Sequence, residues 1–126
     1  MVYFQGVIIE ESLENLDILK MVKITSTNVE AVTRYHKTPW LTQWTLHTVE
    51  VPDGKAKEIS VAISASLDRN HGGSWYADFK NETNHYIIFR DKIFYIERKS
   101  KEQYGLVKRY GTSLGIPEHQ LNFFPL

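Results

Sequence analysis

Between residues 75 and 81 apolar and polar side chains alternate: Trp75, Ala77 and Phe79 point one way, Tyr76, Asp78 and Lys80 the other. A period of two is the spacing of a strand with one buried face. The turn-forming run Glu82-Thr83-Asn84 follows, then β-rich runs at 85–89 and 93–96 around Arg90-Asp91-Lys92. Tyr, Ile and Phe in this pattern, cut by short polar turns, predict an antiparallel meander. The meander sets the fold class and decides which side chains a sheet presents outward. It names no reaction.

Two helices flank it. Asp53, in the turn signal Pro52-Asp53-Gly54, is expected to cap the first. Ala56, Ile59, Ile63 and Leu67 then recur at helical spacing, with Lys, Glu and Ser elsewhere, so one stripe is buried. The second opens on the capping box Ser100-Lys101-Glu102-Gln103 and places Tyr104, Val107 and Leu114 on one side. Gly105 and Gly111 each weaken it by about 1 kcal/mol relative to alanine. Gly115 followed by Pro117 ends it. Upstream, residues 7–10 read as the end of a strand, and Ser12 as the cap of a short helical turn with Leu13, Leu16 and Leu19 on one face. Residues 21–27 and 44–51 read as strands, 29–35 as strand or short helix, and 36–43 as a loop around Pro39. Residues 120–125 read as an extended aromatic tail packed on the body.

The order from Trp44 onward is strand, helix, strand, strand, helix, most of a ferredoxin-like α+β sandwich. With the upstream strands, the expected architecture is a two-layer sandwich: an antiparallel sheet of four or five strands with both main helices on one face. The opposite face would then be uncovered, and would have to be polar, dimerise or bind something.

A chain of 126 residues suits one domain, residues 1–126. Tyr3-Phe4-Gln5-Gly6 matches the end of a protease-site scar, so residues 1–6 have two readings: tag-derived, or part of a strand over residues 2–9 with Gly6 at a bulge or close approach. Fifteen Lys and Arg balance fifteen Asp and Glu, which argues against a nucleic-acid partner. With no cysteine there are no disulfides, thiol nucleophiles or thiolate-held metals. No apolar run approaches the roughly 18 residues of a membrane span, and no signal peptide is visible, so the expectation is a cytoplasmic protein without a membrane partner.

No stretch carries a complete catalytic motif. The His71-Gly72-Gly73-Ser74 loop could bring backbone N–H groups to a ligand, or be a plain helix-to-strand turn; it lacks the Gly-Lys-Ser/Thr of a phosphate loop. Asp78, Lys80 and Arg90, with Tyr76 and Tyr86, could share the outward face of the meander. They could hold an anion or do acid–base work there, or form ordinary cross-strand ion pairs. Ile88 falls with Tyr86 and Arg90, and such a mixed face suits an interface or an amphipathic ligand. The five histidines, His36, His47, His71, His85 and His119, show no metal-binding spacing; a tertiary site such as His47, His71 and His85 with Asp78 would have to be assembled by the fold alone, so neither metal nor cofactor is expected. His47 reads as a hydrogen-bonded core histidine. Tyr35, His36, Pro39, Trp40 and Trp44 form an aromatic-dense loop, either a lid on the core or a pocket wall.

The reading that follows is a small binding or interaction module, self-associating as a dimer through its open sheet face. Trp40, Trp44, Tyr76 and Tyr86 are its candidate contacts with a small-molecule or protein ligand. Two alternatives stay open. One is a small acid–base enzyme acting on an anionic or carbonyl substrate, with His71 as proton carrier and Lys80 or Arg90 as clamp beside Asp78; it requires His71, Asp78 and Arg90 to converge. The other is a protein inhibitor or immunity-type partner.

Overall fold

The first strand, rather than the meander, holds the middle of the sheet. In the computed structural model, which describes residues 3–34, 38, 40–68 and 74–121, six strands form a wholly antiparallel sheet. They are β1 (Tyr3–Ile9), β2 (Lys23–Ala31), β3 (Gln43–Pro52), β4 (Tyr76–Lys80), β5 (Asn84–Phe89) and β6 (Lys92–Glu97), in spatial order β2-β3-β1-β4-β5-β6. Gly6 makes the central seam possible. A Cβ there would lie 1.9 Å from the Asp78 carbonyl oxygen and 2.5 Å from Phe79 Cα, so only glycine lets β1 and β4 pair this closely. Tyr3–Gly6 are therefore part of the sheet, whatever their origin.

Helix α1 (Ala56–Ser66) carries the chain from β3 to β4, passing over β1; both strands run antiparallel to β1 and hence parallel to each other. Helix α2 (Lys101–Ser113) follows β6. Six strands replace the expected four or five. Among the described residues α2 leads to no further strand, so the second strand–helix–strand unit of a ferredoxin-like plan is not formed.

The larger correction concerns the faces. Cross-strand partners share a face, so the register places Phe4, Ile8, Val49, Val51, Ala77, Phe79 and Ile88 on one side, where Ile59 and Ile63 of α1 pack. Ile87, Phe89 and Ile96 lie on the other side, against Tyr104 and Val107 of α2. The helices cover opposite faces, not one. The cause sits in β5: Ile87, Ile88 and Phe89 are consecutive and fully buried, and successive strand residues face opposite ways, so both sides need a cover. The face expected to be bare is closed by α2 over β4–β6 and stays accessible only over the β1–β3 half.

Local details follow the chemistry of the ends. The α1 stripe Ala56, Ile59, Ile63 and Leu67 is buried as its spacing predicts. Its N-cap position is held by Lys55 without a side-chain cap bond, because Asp53 starts a preceding 3-10 turn, Asp53–Lys55. On α2, Ser100 Oγ accepts from Gln103 N at 3.1 Å. The Gln103 amide oxygen accepts from Glu97 N at 2.6 Å instead of closing the box on Ser100. Ile116 N donates to Gly111 O and Gly115 N to Thr112 O, a Schellman stop with Gly115 at φ 88°. Tyr104 and Val107 are buried, but Leu114 is exposed and Gly111 takes its place on the stripe, since a Cβ at Gly111 would meet Leu121 Cδ2 at 2.7 Å. The Ser12 turn is also different. Its hydroxyl donates to Ile9 O, Asn15 caps the 3-10 turn Leu16–Lys20, and Ile18 is buried while Leu16 is exposed. Residues 29–31 continue β2. His47 is the bonded core histidine expected, with Nδ1 2.9 Å from Thr27 Oγ1 and Nε2 2.8 Å from Glu10 Oε1.

Candidate functional site

Strand β4 carries the site on its α2-side face, where Tyr76, Asp78 and Lys80 follow one another at every second position. Val7 stands opposite Asp78, Gln5 opposite Lys80, and Leu46 of β3 opposite Ile9. Because α2 covers only β4–β6, a cavity of about 300 Å³ is left beside it, lined among others by Val7, Ile9, Trp44, Leu46, Trp75, Tyr76 and Asp78. Its walls are mostly aliphatic and aromatic, with Asp78 as the ionisable group. Trp44 and Trp75 close one end, ring centroids 5.4 Å apart, and Trp44 Nε1 donates to Thr38 Oγ1 at 2.9 Å. The Tyr76 hydroxyl donates to Gln120 O, and burial pushes its phenol far above the ordinary tyrosine value, with Asp78 adding to the shift.

Asp78 is held from behind. Its Oδ2 lies 2.6 Å from Nε2 of the wholly buried His85, and His85 Nδ1 lies 2.9 Å from the Tyr104 hydroxyl. A carboxylate only accepts, so Nε2–H faces it, which fixes the ring's orientation. The Tyr104 phenol is raised mainly by burial, with Arg98 opposing the shift. A chain of Tyr104, His85 and Asp78 thus runs from under α2 to the cavity. Asp78 is the member that reaches solvent, its side chain 26% exposed.

Trp75 supplies the second polar feature. The residue is 6% exposed, and its buried indole Nε1–H has no hydrogen-bond partner among the described residues. A buried donor left unpaired costs about 1–3 kcal/mol, and such groups are rare in folded proteins.

Further along β4, Lys80 opens on a second, more polar hollow of about 570 Å³ with Tyr3, Gln5, Asn81, Glu82, Thr83 and Arg98. Burial lowers the Lys80 ammonium below the ordinary lysine value; Asp78 opposes this and Arg98 adds to it. A depressed lysine disfavours folding while charged, so this cost holds below its folded value and fades as pH rises toward the unfolded one. After ¹³C-dimethylation, the Lys80 resonance should titrate below free dimethyl-lysine, lower still in Asp78→Asn and higher in Arg98→Gln. Titration at or above the free value in the parent chain would contradict the assigned environment.

Among the described residues, the sequence candidates Tyr86, Ile88, Arg90 and Trp40 do not join this site. Tyr86 pairs with Phe79, which puts it on the α1 side, between an edge-on Phe4 ring and a tilted Tyr95 ring with centroids at 5.3 and 4.5 Å. Ile88 is buried there. Arg90 Nη1 donates to Leu67 O and lies 3.2 Å from Glu14 Oε1, at the C-terminal end of α1. Asp78 and Arg90 therefore serve opposite faces and do not converge. His71, Tyr35, His36 and Pro39 lie outside the described residues, as does the tail beyond Leu121. Trp40 packs at the edge of the α1-side core. Among the described residues no three His, Asp or Glu side chains gather as metal ligands, and no helix is long and apolar enough to cross a membrane. Tyr104 and Arg98 are not singled out as site residues by the sequence, and His85 enters there only beside Asp78 in a possible tertiary metal set, not as the buried partner it is. Only the hairpin offered a signal, since Lys80 and His85 flank its turn and share a face.

The chain matches no protein-family model, no curated protein and no solved structure.

Proposed function

We propose that this chain is a small-molecule binding module whose ligand lies in the α2-side cavity. The supporting observation is a mostly apolar concavity into which the Asp78 carboxylate, held from behind by His85, opens. A protonated nitrogen answers Asp78, whose position is fixed by His85 rather than by the ligand. In the same cavity, Val7, Leu46, Trp44 and Tyr76 favour a flat aliphatic or aromatic body. The ligand class is therefore a compact aromatic or alicyclic amine. The acid–base alternative is less well supported, because its proposed Arg90 clamp faces the other way.

The tryptophans make the test direct. Serotonin, tryptamine, benzylamine, and indole-3-acetate as a carboxylate control are titrated while tryptophan fluorescence or ligand-observed NMR is followed. Saturable binding is expected for amines and not for the carboxylate, weakening at least tenfold in Asp78→Asn. Equal or stronger binding of the carboxylate, or no saturable binding by any amine up to millimolar concentration, would overturn the proposal.

A further inference from the structure

Strand β2 is unlike the other five. It forms one edge of the sheet, and all nine of its residues are exposed. Its inner edge pairs with β3; its outer edge, which no other described strand pairs with, presents a row of backbone N–H and C=O groups along a strand without proline. Long free edges of this kind are templates for a further strand, and natural proteins usually blunt them. Ile24 and Val29 stand out from it at 40% and 60% exposure.

The register shows which strand fits. Opposite β3, the pairing shifts between Ile24 and Ser26, leaving Thr25 as an extra residue, a β-bulge. The bulge resets the alternation. Ile24 shares the α1-side face with Val49, and Val29 shares it with Thr45, although their spacing in an unbroken strand would put them on opposite faces. Lys23 and Glu30 both fall on the α2 side, opposite Glu50 and Trp44.

We infer that β2 pairs antiparallel with β2 of a second copy, about a two-fold axis through Thr27. In this register Thr27 meets Thr27, Asn28 meets Ser26, and with Thr25 again bulged out, Val29 meets Ile24 and Glu30 meets Lys23. Every pair is on one face, the two exposed apolar side chains cover each other, and each end closes on opposite charges, twice by symmetry. Backbone hydrogen bonds along the seam supply affinity and the end pairs fix the register. The other edge lacks this match. Lys92 and Glu97 of β6 share faces with Phe89 and Asn84 of β5, which alternate, so self-pairing of β6 cannot bring them together. The inference moves self-association from the sheet face to the sheet edge, and it does not depend on the proposed ligand.

A charge swap tests it. Light scattering after size exclusion should give a dimer at tens of micromolar. Lys23→Glu or Glu30→Lys alone puts like charges together at both ends and should raise the dimer dissociation constant at least tenfold. The double swap Lys23→Glu/Glu30→Lys should restore it. Because the chain has no cysteine, Thr27→Cys should also link to itself through a short bismaleimide, while Leu106→Cys on the exposed side of α2 should not. A strict monomer at these concentrations, or a dimer indifferent to the single swaps and unlinked through residue 27, would overturn the proposal. Circular dichroism of each variant separates loss of pairing from loss of fold.

Discussion

Gly6→Val should leave the chain largely unfolded, and Gly6→Ala should cost at least about 4 kcal/mol, in the range reserved for severe core defects. The added carbon would sit 1.9 Å from a backbone oxygen and 2.5 Å from a backbone carbon of β4. Those atoms belong to the ladder itself and cannot rotate away as a side chain would. Relief requires β1 and β4 to part in the middle of the sheet, where Phe4, Ile8 and Phe79 are packed. Against a total stability of about 5–15 kcal/mol, such a loss dominates. Two other glycines give the contrast. Nothing lies within 4 Å of a Cβ at Gly54, so Gly54→Ala should change stability by no more than about 0.5 kcal/mol. Gly105 is helical and meets only the end of Arg109 at 3.8 Å, so Gly105→Ala should stabilise by roughly 0.5–1 kcal/mol. Thermal melts followed by circular dichroism rank the three, and an unchanged melting temperature for Gly6→Ala would mean that β1 is not the central strand.

His85→Leu is the second substitution with a large expected effect, about 3 kcal/mol of lost stability. Leucine nearly fills the space but leaves Asp78 without its buried donor and Tyr104 without the imidazole. Hydrogen bonds to charged groups contribute about 1.5–3 kcal/mol, and an orphaned partner adds its own desolvation cost. If that orphaning is the main cost, Asp78→Leu in the His85→Leu background should recover a good part of the loss, because no carboxylate then remains to be satisfied. Urea denaturation of the parent, both single variants and the double completes the cycle. Strict additivity of the two substitutions would show that Asp78 and His85 do not act as a pair. The same variants bear on binding: His85→Leu should weaken amine ligands even in the folded fraction, since Asp78 loses its fixed orientation.

Much of the fold is legible in particular residues. The alternation from Trp75 to Lys80 predicts β4 and the face each side chain takes, while Gly6 as a bulge or close approach is one of two readings of residues 1–6, and the register makes it the close approach. Ala56, Ile59, Ile63 and Leu67 outline α1, while Ser100 and Gly115 mark the ends of α2. The faces were harder to assign. An amphipathic stripe says that a helix must cover something apolar without saying which side of a sheet it covers. The signal that decides it, three consecutive buried apolar residues in β5, resembles an ordinary hydrophobic run until the register is known. The same limit misplaced Tyr86 and Arg90. The β4–β5 turn joins even-numbered residues to odd-numbered ones, so Tyr86 follows Phe79 rather than Asp78.

By itself, the sequence determined much of the local structure: where most strands and both helices form, and where α2 starts and stops. These depend on neighbours a few residues apart, whose spacing and stereochemistry are written in the chain. Tertiary pairing decided the rest, from the placement of the helices on opposite faces to the meeting of His85 with Asp78 and Tyr104, and of Trp75 with the cavity. Such contacts join residues distant in sequence, and their geometry exists only once strand register has fixed which side chains share a face.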